Sequence, residues 1–384
     1  MTRIDTVRGV IEPFSMHLPV RVRFGNGAVT SLPEVVGRRS ALVISEQPVL
    51  AVPAVAEVVG GMAVYEKPAG EPTFEMVAEA AARAADERPE VIVAVGGGSA
   101  IDLAKAARLS VDSGLPLRAF MDGARIAAPT TDLVAVPTTS GTGSEVSGGA
   151  VVVDRKEGRK RGVAHPLLRA QDALVDPLLT VALPPDATAY TGVDALAQAI
   201  GGVIVSNGNP ASAALGLEAC RHVAAGLEGA VRDGEDVEAR AHVSLGSLLA
   251  GLSMNLSDCG ADHALGHSIG STFGLPHGLT VGLVLAETLE VNRPACVPQL
   301  ERVADALGEP EDGSGDGSRA IRAVRRLLAA VELPTMREVG VEQRHVERLV
   351  ELSIADYCLT VNPRVWDAGD VRSAYEAALA VERR

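Results

Sequence analysis

The chain has 384 residues, 47% of them apolar, and 49 acidic against 35 basic residues give a formal net charge of −14. That length exceeds what one hydrophobic core usually supports, so two domains are expected. No basic run offsets the acidity locally, which argues against nucleic acid and anionic membrane surfaces as partners.

The N-terminal stretch from Met1 through Pro13 to Leu18 carries acidic residues and a proline where a signal peptide has an apolar run. No later stretch is apolar for the length of a membrane span. Cys220, Cys259, Cys296 and Cys358 form no CxxC pair, so reduced thiols in a cytoplasmic protein are expected.

The first half alternates β-branched runs with helical stretches. Val20 to Phe24, Ala41 to Ser45, Val91 to Val95 and Leu133 to Val136 read as strands, with an Ala-rich helix over Phe74 to Ala85. Strands separated by helices predict a mainly parallel sheet covered on both faces, a Rossmann-like α/β domain. The character changes at Leu183–Pro184–Pro185. Beyond it Ala187 to Val205, Pro210 to Val231, Ala239 to Asn255 and Val346 to Thr360 have helical spacing, which places an α/β domain over 1–185 and an all-helical domain over 186–384. The segment Glu311 to Ser318 has GxG spacing but no strand before it, so it reads as a solvated loop.

Two glycine loops follow strands. The run Val91–Val95 enters Gly96–Gly97–Gly98–Ser99 and then the helical Ala100 to Lys105, which includes Asp102. Backbone N–H groups in such a turn approach a pyrophosphate closely, and the helix start points positive charge at it. Even alone, the segment reads as a phosphate cradle ahead of a plain tight turn. The second loop, Thr138–Thr139–Ser140–Gly141–Thr142–Gly143–Ser144–Glu145, interleaves hydroxyls with glycines and suits ribose and phosphates. Two loops at the carboxyl ends of parallel strands converge where such sheets bind ligands.

In the helical half, Asp194 and Gln198 share a helix face, as do His263 and His267. His277 follows a Gly–Leu–Pro turn that presents it at the start of the next helix. One buried histidine is ordinarily a hydrogen-bonded core residue. Three of the chain's eight between positions 263 and 277, with a carboxylate on another helix, are the ingredients of a divalent metal site.

The chain resembles the iron-containing (group III) alcohol dehydrogenase family. The motifs run in order: Phe24–Gly25–Asn26–Gly27, Gly96 to Ser99, Pro137 to Glu145, Val175–Asp176–Pro177, Gly192 to Leu196, His263 through His277, and Asn362–Pro363–Arg364. The resemblance implies interconversion of small alcohols and carbonyls with NAD or NADP in a cleft between domains, in a homodimer or larger homo-oligomer. It matches Gly97, Gly98, Ser99, Asp102, Thr138, Thr139 and Lys160 to cofactor contacts, beside Thr142 of the second loop. Asp194, His263 and His277 match metal ligands for iron or zinc, and His267 matches a further cleft histidine, the candidate proton relay.

Where the family has its fourth ligand, a histidine four residues after the aspartate, this chain has Gln198. The departure predicts a weaker metal site, a three-ligand zinc site like that of the glycerol dehydrogenases, or a reaction without metal. Glu46 ends the strand Ala41–Ser45 where the family often has an NAD-selecting aspartate, which predicts a preference for NAD. A maleylacetate reductase, a dehydroquinate-synthase-like lyase and a non-catalytic nucleotide-binding protein are the alternative readings.

Overall fold

A computed structural model describes residues 13–156 and 159–382. The first twelve residues of the stretch read against a signal peptide lie outside the described residues. Six strands form one parallel sheet: β1 (Arg21–Phe24), β2 (Ala41–Ser45), β3 (Ala63–Glu66), β4 (Val91–Gly96), β5 (Asp132–Pro137) and β8 (Asp172–Val175), in spatial order β1-β8-β5-β4-β2-β3. Between β5 and β8 the chain makes an antiparallel hairpin of β6 (Gly149–Asp154) and β7 (Arg159–Ala164).

The central strands are apolar without alternation because both faces are covered. Val91–Gly96 is buried at every position. Ile92 and Ala94 pack with Ile101, Leu103 and Ala104 on one face, while Val91, Val93 and Val95 join Val29, Leu32 and Val55 on the other. The chain leaves β2 toward β3 on one side and leaves β4 toward β5 on the other. The connections therefore diverge beside the carboxyl ends of β2 and β4, where open α/β sheets form their ligand crevice. Ser45 pairs with Val95 there, so Glu46 and the first glycine loop emerge side by side.

The helical half opens at Pro185, the first residue of the helix Pro185–Ile204, where a missing N–H costs nothing. That helix is almost wholly buried and runs against an antiparallel pair, Pro210–Arg232 and Val237–Met254. The pair is capped by Asn209, whose side chain accepts from the N–H groups of Ala211 and Ser212, and by Asp236, which accepts from Ala239.

Two helices then carry the histidines: Ala261–Phe273 and His277–Asn292. The two halves are tied together by Ser140 Oγ and Ser244 Oγ at 2.8 Å, by Asn255 Nδ2 donating to the Val146 carbonyl (3.0 Å), and by Arg169 donating to Asn255 Oδ1 (3.0 Å).

One expected helix is corrected. The stretch Val346 to Thr360 is two elements, because the helix Val346–Ser353 ends and a 3₁₀ turn, Tyr357–Val361, begins after Asp356. The Asp356 carboxylate accepts from the Cys358 N–H (2.9 Å), a local bond that competes with continued helix. The Glu311–Ser318 segment is irregular up to the helix that starts at Ser318, as its composition indicates. No helix among the described residues is long and apolar enough to cross a membrane.

Candidate active site

The first glycine loop leaves β4 and turns into the helix Gly98–Ser113, with Gly97 as its N-cap and Ser99 in its first turn. The Thr138 N–H, at the end of β5, donates to the Gly96 carbonyl (3.0 Å) and draws the second loop alongside. The loops touch: a Cβ on Gly98 would lie 2.7 Å from the Thr142 methyl, and one on Gly97 would lie 3.2 Å from that of Thr139. Gly97, Gly98, Ser99, Thr138, Thr139 and Thr142 are only partly buried, so the seam between the loops is open to a ligand.

Beneath this seam the second loop is braced. Asp102 accepts from Ser144 Oγ and from the Val151 N–H (2.9 Å), which commits both carboxylate oxygens within the protein. Lys105 Nζ donates to Ser144 Oγ (3.0 Å), Ser147 Oγ (3.2 Å) and the Gly149 carbonyl (2.7 Å), and burial pushes its pKa down to about 8. Lys160, on β7, is paired with Glu71 at 2.8 Å, and its charge is felt at His277. Glu46 accepts from Lys67 Nζ at 2.6 Å.

The second loop also reaches the helical half. A Cβ on Gly143 would sit 3.6 Å from Gln198 Oε1. Asp194 and Gln198 project from the helix Pro185–Ile204 into a cluster with the buried His263 and the partly exposed His277. His263 Nε2 and His277 Nε2 lie 3.4 and 3.5 Å from Asp194 Oδ1. The helix of His277 comes this close because Gly278 has no side chain: a Cβ there would fall 2.0 Å from the Tyr190 carbonyl oxygen.

The cluster has a deficit of partners. Asp194 Oδ1, Gln198 Oε1 and His263 Nε2 are buried without a hydrogen bond, although buried polar atoms are seldom left unpaired. All three bear lone pairs in the ordinary states of these groups, or do so for His263 once Nε2 is unprotonated. His263 Nδ1 is engaged by Asp262 Oδ2 at 2.7 Å, the outer hydrogen bond that orients a ligating imidazole.

The charges agree. Burial works against the Asp194 carboxylate, but His277 and His263 outweigh it and hold its pKa below the usual value. Burial opposes protonation of His263 too, yet Cys259, Asp262 and Asp194 raise its pKa above the ordinary value, so this spot calls for a positive charge. Burial lowers His277 to about 3, which keeps its imidazole neutral and able to ligate. Donor atoms of Asp194, His263 and His277 lie within 4.8 Å of one another. These residues fit a divalent cation.

His267 stands apart from this set. Its ring stacks on His277 with centroids 5.2 Å apart, its side chain is 41% exposed, and Nδ1 meets Asp356 Oδ2 at 2.9 Å. Asp262 and Asp356 escape sequence reasoning. Asp262 is signalled only by being next to His263, and Asp356, 89 residues from His267, by nothing in the spacing.

Phosphate-type loops on a parallel sheet, reached across a crevice by buried carboxylate and imidazole groups, place the molecule among two-domain nicotinamide dehydrogenases with a metal-type centre. The family model "Iron-containing alcohol dehydrogenase" matches residues 19–177, and the model of the family's C-terminal part matches residues 188–379. The chain belongs to the iron-containing alcohol dehydrogenase family, and it is an oxidoreductase that interconverts an alcohol and its carbonyl form with a nicotinamide cofactor.

It is 33% identical over 318 residues to the probable alcohol dehydrogenase EutG of Escherichia coli strain K12, covering 83% of this chain and 80% of that one. It superposes on the crystal structure of a 1,3-propanediol oxidoreductase with a TM-score of 0.90 at 26% identity, over 96% of this chain and all of the other. A sulfoacetaldehyde reductase from Bifidobacterium kashiwanohense, solved in complex with NAD+, aligns with a TM-score of 0.89 at 25% identity, over 97% of this chain and 100% of that one.

Proposed function

We propose that the chain reduces short aldehydes or ketones and oxidises the matching alcohols by metal-assisted hydride transfer, with NADH preferred over NADPH. The observation that carries this reading is the set of buried, unpartnered ligating atoms Asp194 Oδ1, Gln198 Oε1 and His263 Nε2, within reach of the second glycine loop through Gly143. When bound, the nicotinamide supplies the hydride, and a divalent iron or zinc ion at Asp194, His263 and His277 polarises the carbonyl oxygen.

The chain's own residues do the rest. Gly97, Gly98 and Ser99 present backbone N–H groups at a helix start for the pyrophosphate, while Thr138, Thr139 and Thr142 offer hydroxyls along the seam. Asp102 serves that cradle by fixing Ser144 from below, and Lys160 adds positive charge at the cleft. Asp262 orients His263. Asp356 accepts the Nδ1 proton of His267, so Nε2 is the nitrogen left to pass a proton to or from the alcohol oxygen.

Gln198 brings a neutral amide oxygen where an imidazole stands in the family pattern, and iron(II) and zinc bind amide oxygen less well. The ion is therefore held by three strong ligands and is lost more readily than from a four-ligand site. We take 1–185 and 186–384 as the domains and a homodimer or larger homo-oligomer as the assembly. The four cysteines are free, in keeping with a cytoplasmic location.

The test is an NADH turnover screen over short aldehydes and 2-oxo compounds with metal analysis of the same sample. Turnover that a strong chelator removes and added zinc or iron(II) restores supports the reading. Turnover that survives exhaustive chelation overturns the metal-assisted mechanism.

A further inference from the structure

Next to the Asp194 cluster lies a second set of ligating side chains. Donor atoms of His267, Asp356 and Cys358 all fall within 4.8 Å of one another. We propose that His267 Nδ1, the Asp356 carboxylate and Cys358 Sγ form a separate, inhibitory site for a thiophilic divalent cation such as zinc or cadmium.

The geometry is prepared on both sides. His267 projects from the helix Ala261–Phe273, and its Nδ1 points at Asp356 Oδ2, 2.9 Å away. Asp356 is itself fixed, since its Oδ1 accepts from the Cys358 N–H at 2.9 Å. The turn that begins at Asp356 thus carries carboxylate and thiol together, two residues apart, against the histidine.

Nitrogen, oxygen and sulfur in one site form a donor set typical of zinc, with bonds of about 2.0–2.3 Å. Tetrahedral bonds of that length hold ligand atoms roughly 3.5 Å apart, so closure asks the three groups to move by about an ångström. His267 is 41% exposed and Asp356 21%, so an ion can enter from the cleft. Three protein ligands leave a fourth position for water.

Binding balances as follows. The Cys358 thiol loses its proton to solvent and binds as thiolate. His267 keeps one proton but moves it from Nδ1 to Nε2, freeing the Nδ1 lone pair for the ion. Thiolate and carboxylate together neutralise the dication, and one proton is released per ion bound. The Nε2 of His267 then carries a hydrogen and no lone pair, so it cannot accept a proton from an alcohol. The inhibition, unlike the site, rests on the relay role of His267 given above.

The experiment uses the whole, metal-reconstituted protein under a non-thiol reductant. Cadmium in excess of the reconstituting metal produces a thiolate-to-cadmium ultraviolet band that saturates at one further equivalent. The band disappears in Cys358→Ala and in Cys358→Ser and persists in Cys259→Ala. Excess zinc lowers wild-type alcohol oxidation at least about tenfold, while Cys358→Ala keeps its basal activity and resists zinc. A band that persists in both Cys358 variants, or no band in the wild type, overturns the site. A Cys358-dependent band with unchanged turnover establishes the site but overturns its inhibitory role, and with it the relay reading of His267.

Discussion

The two halves of the crevice are made differently. On the sheet side the seam is formed by backbone and small side chains, and the charged groups beneath it are matched: Asp102 and Lys105 are both bonded through Ser144. On the helical side the cluster is formed by large polar side chains, and three buried atoms have no partner. A region whose polar groups are satisfied is stable as it stands and adds a ligand through shape. A region with unpaired buried lone pairs carries a cost in the free protein that a cation removes. Substitutions should therefore act through shape on one side and through ligand chemistry on the other.

The largest effect is expected at the cluster. His263→Ala removes a buried ligand along with the group that Asp262 orients, and metal-assisted polarisation contributes several kcal/mol to such reactions, so turnover should fall on the order of a thousandfold. Metal content measured on the folded variant, checked by circular dichroism, should fall with it. Near-normal turnover in a folded His263→Ala protein sinks the catalytic metal site.

Next comes the seam. Gly97→Val puts a branched side chain against Thr139, which is only 3.2 Å from the first added carbon. NADH affinity, read by nucleotide fluorescence, should weaken by about a hundredfold, equivalent to about 2.7 kcal/mol, while metal content stays normal. Loss of metal together with cofactor would show that the two regions are not independent.

This contrast also explains what the sequence discloses. The loops are legible because their signals are local: a continuous apolar strand such as Val91–Val95 stops at glycines and a helix begins. Asp194 with Gln198, and His263 with His267, are legible through helical periodicity. The short strands β3 and β8 go unread, and the β6–β7 hairpin hides because β6 reverses the usual pattern, with apolar Val151 exposed and Asp154 buried.

Asp356 is hidden for another reason. Its pairing with His267 depends on where Val346–Ser353 stops, and helix ends are weakly encoded in periodicity. Burial alone would raise the Asp356 carboxyl, but its bonds with His267 and the Cys358 backbone lower it to about 2. The approach of His277 to Asp194 depends on Gly278 meeting the Tyr190 carbonyl, a contact between helices that no spacing rule contains.

A third substitution tests the cluster by addition. Gln198→His restores an imidazole at a buried position already aimed at Asp194, so metal retention through dialysis should improve by about tenfold, the low end of what a supporting ligand contributes. The seam should be indifferent, with NADH affinity unchanged. Unaltered metal retention in a folded Gln198→His protein would mean that this position does not face the ion.

The smallest effect is expected at Glu46, where the sheet half depends on a charge rather than on shape. A carboxylate beyond β2 can accept from the ribose hydroxyls of NADH and repels the 2′-phosphate of NADPH. Its repulsion is blunted here, because Lys67 Nζ lies 2.6 Å from Glu46 Oε1. Lys67 is buried and also donates to the Pro68 carbonyl at 2.9 Å and the Gly70 carbonyl at 2.6 Å, so it cannot swing away when Glu46 changes. Glu46→Gln therefore removes the negative charge and leaves a fixed positive one next to the ribose position. The ratio of kcat/KM for NADH over NADPH should fall by about fivefold, equivalent to about 1 kcal/mol, with most of the change in the NADPH term. Because Glu46 is partly exposed to solvent at this edge, raising the salt concentration should shrink the shift. A ratio that stays constant in Glu46→Gln, at low salt and with both cofactors still bound, would show that selection is made elsewhere on the seam.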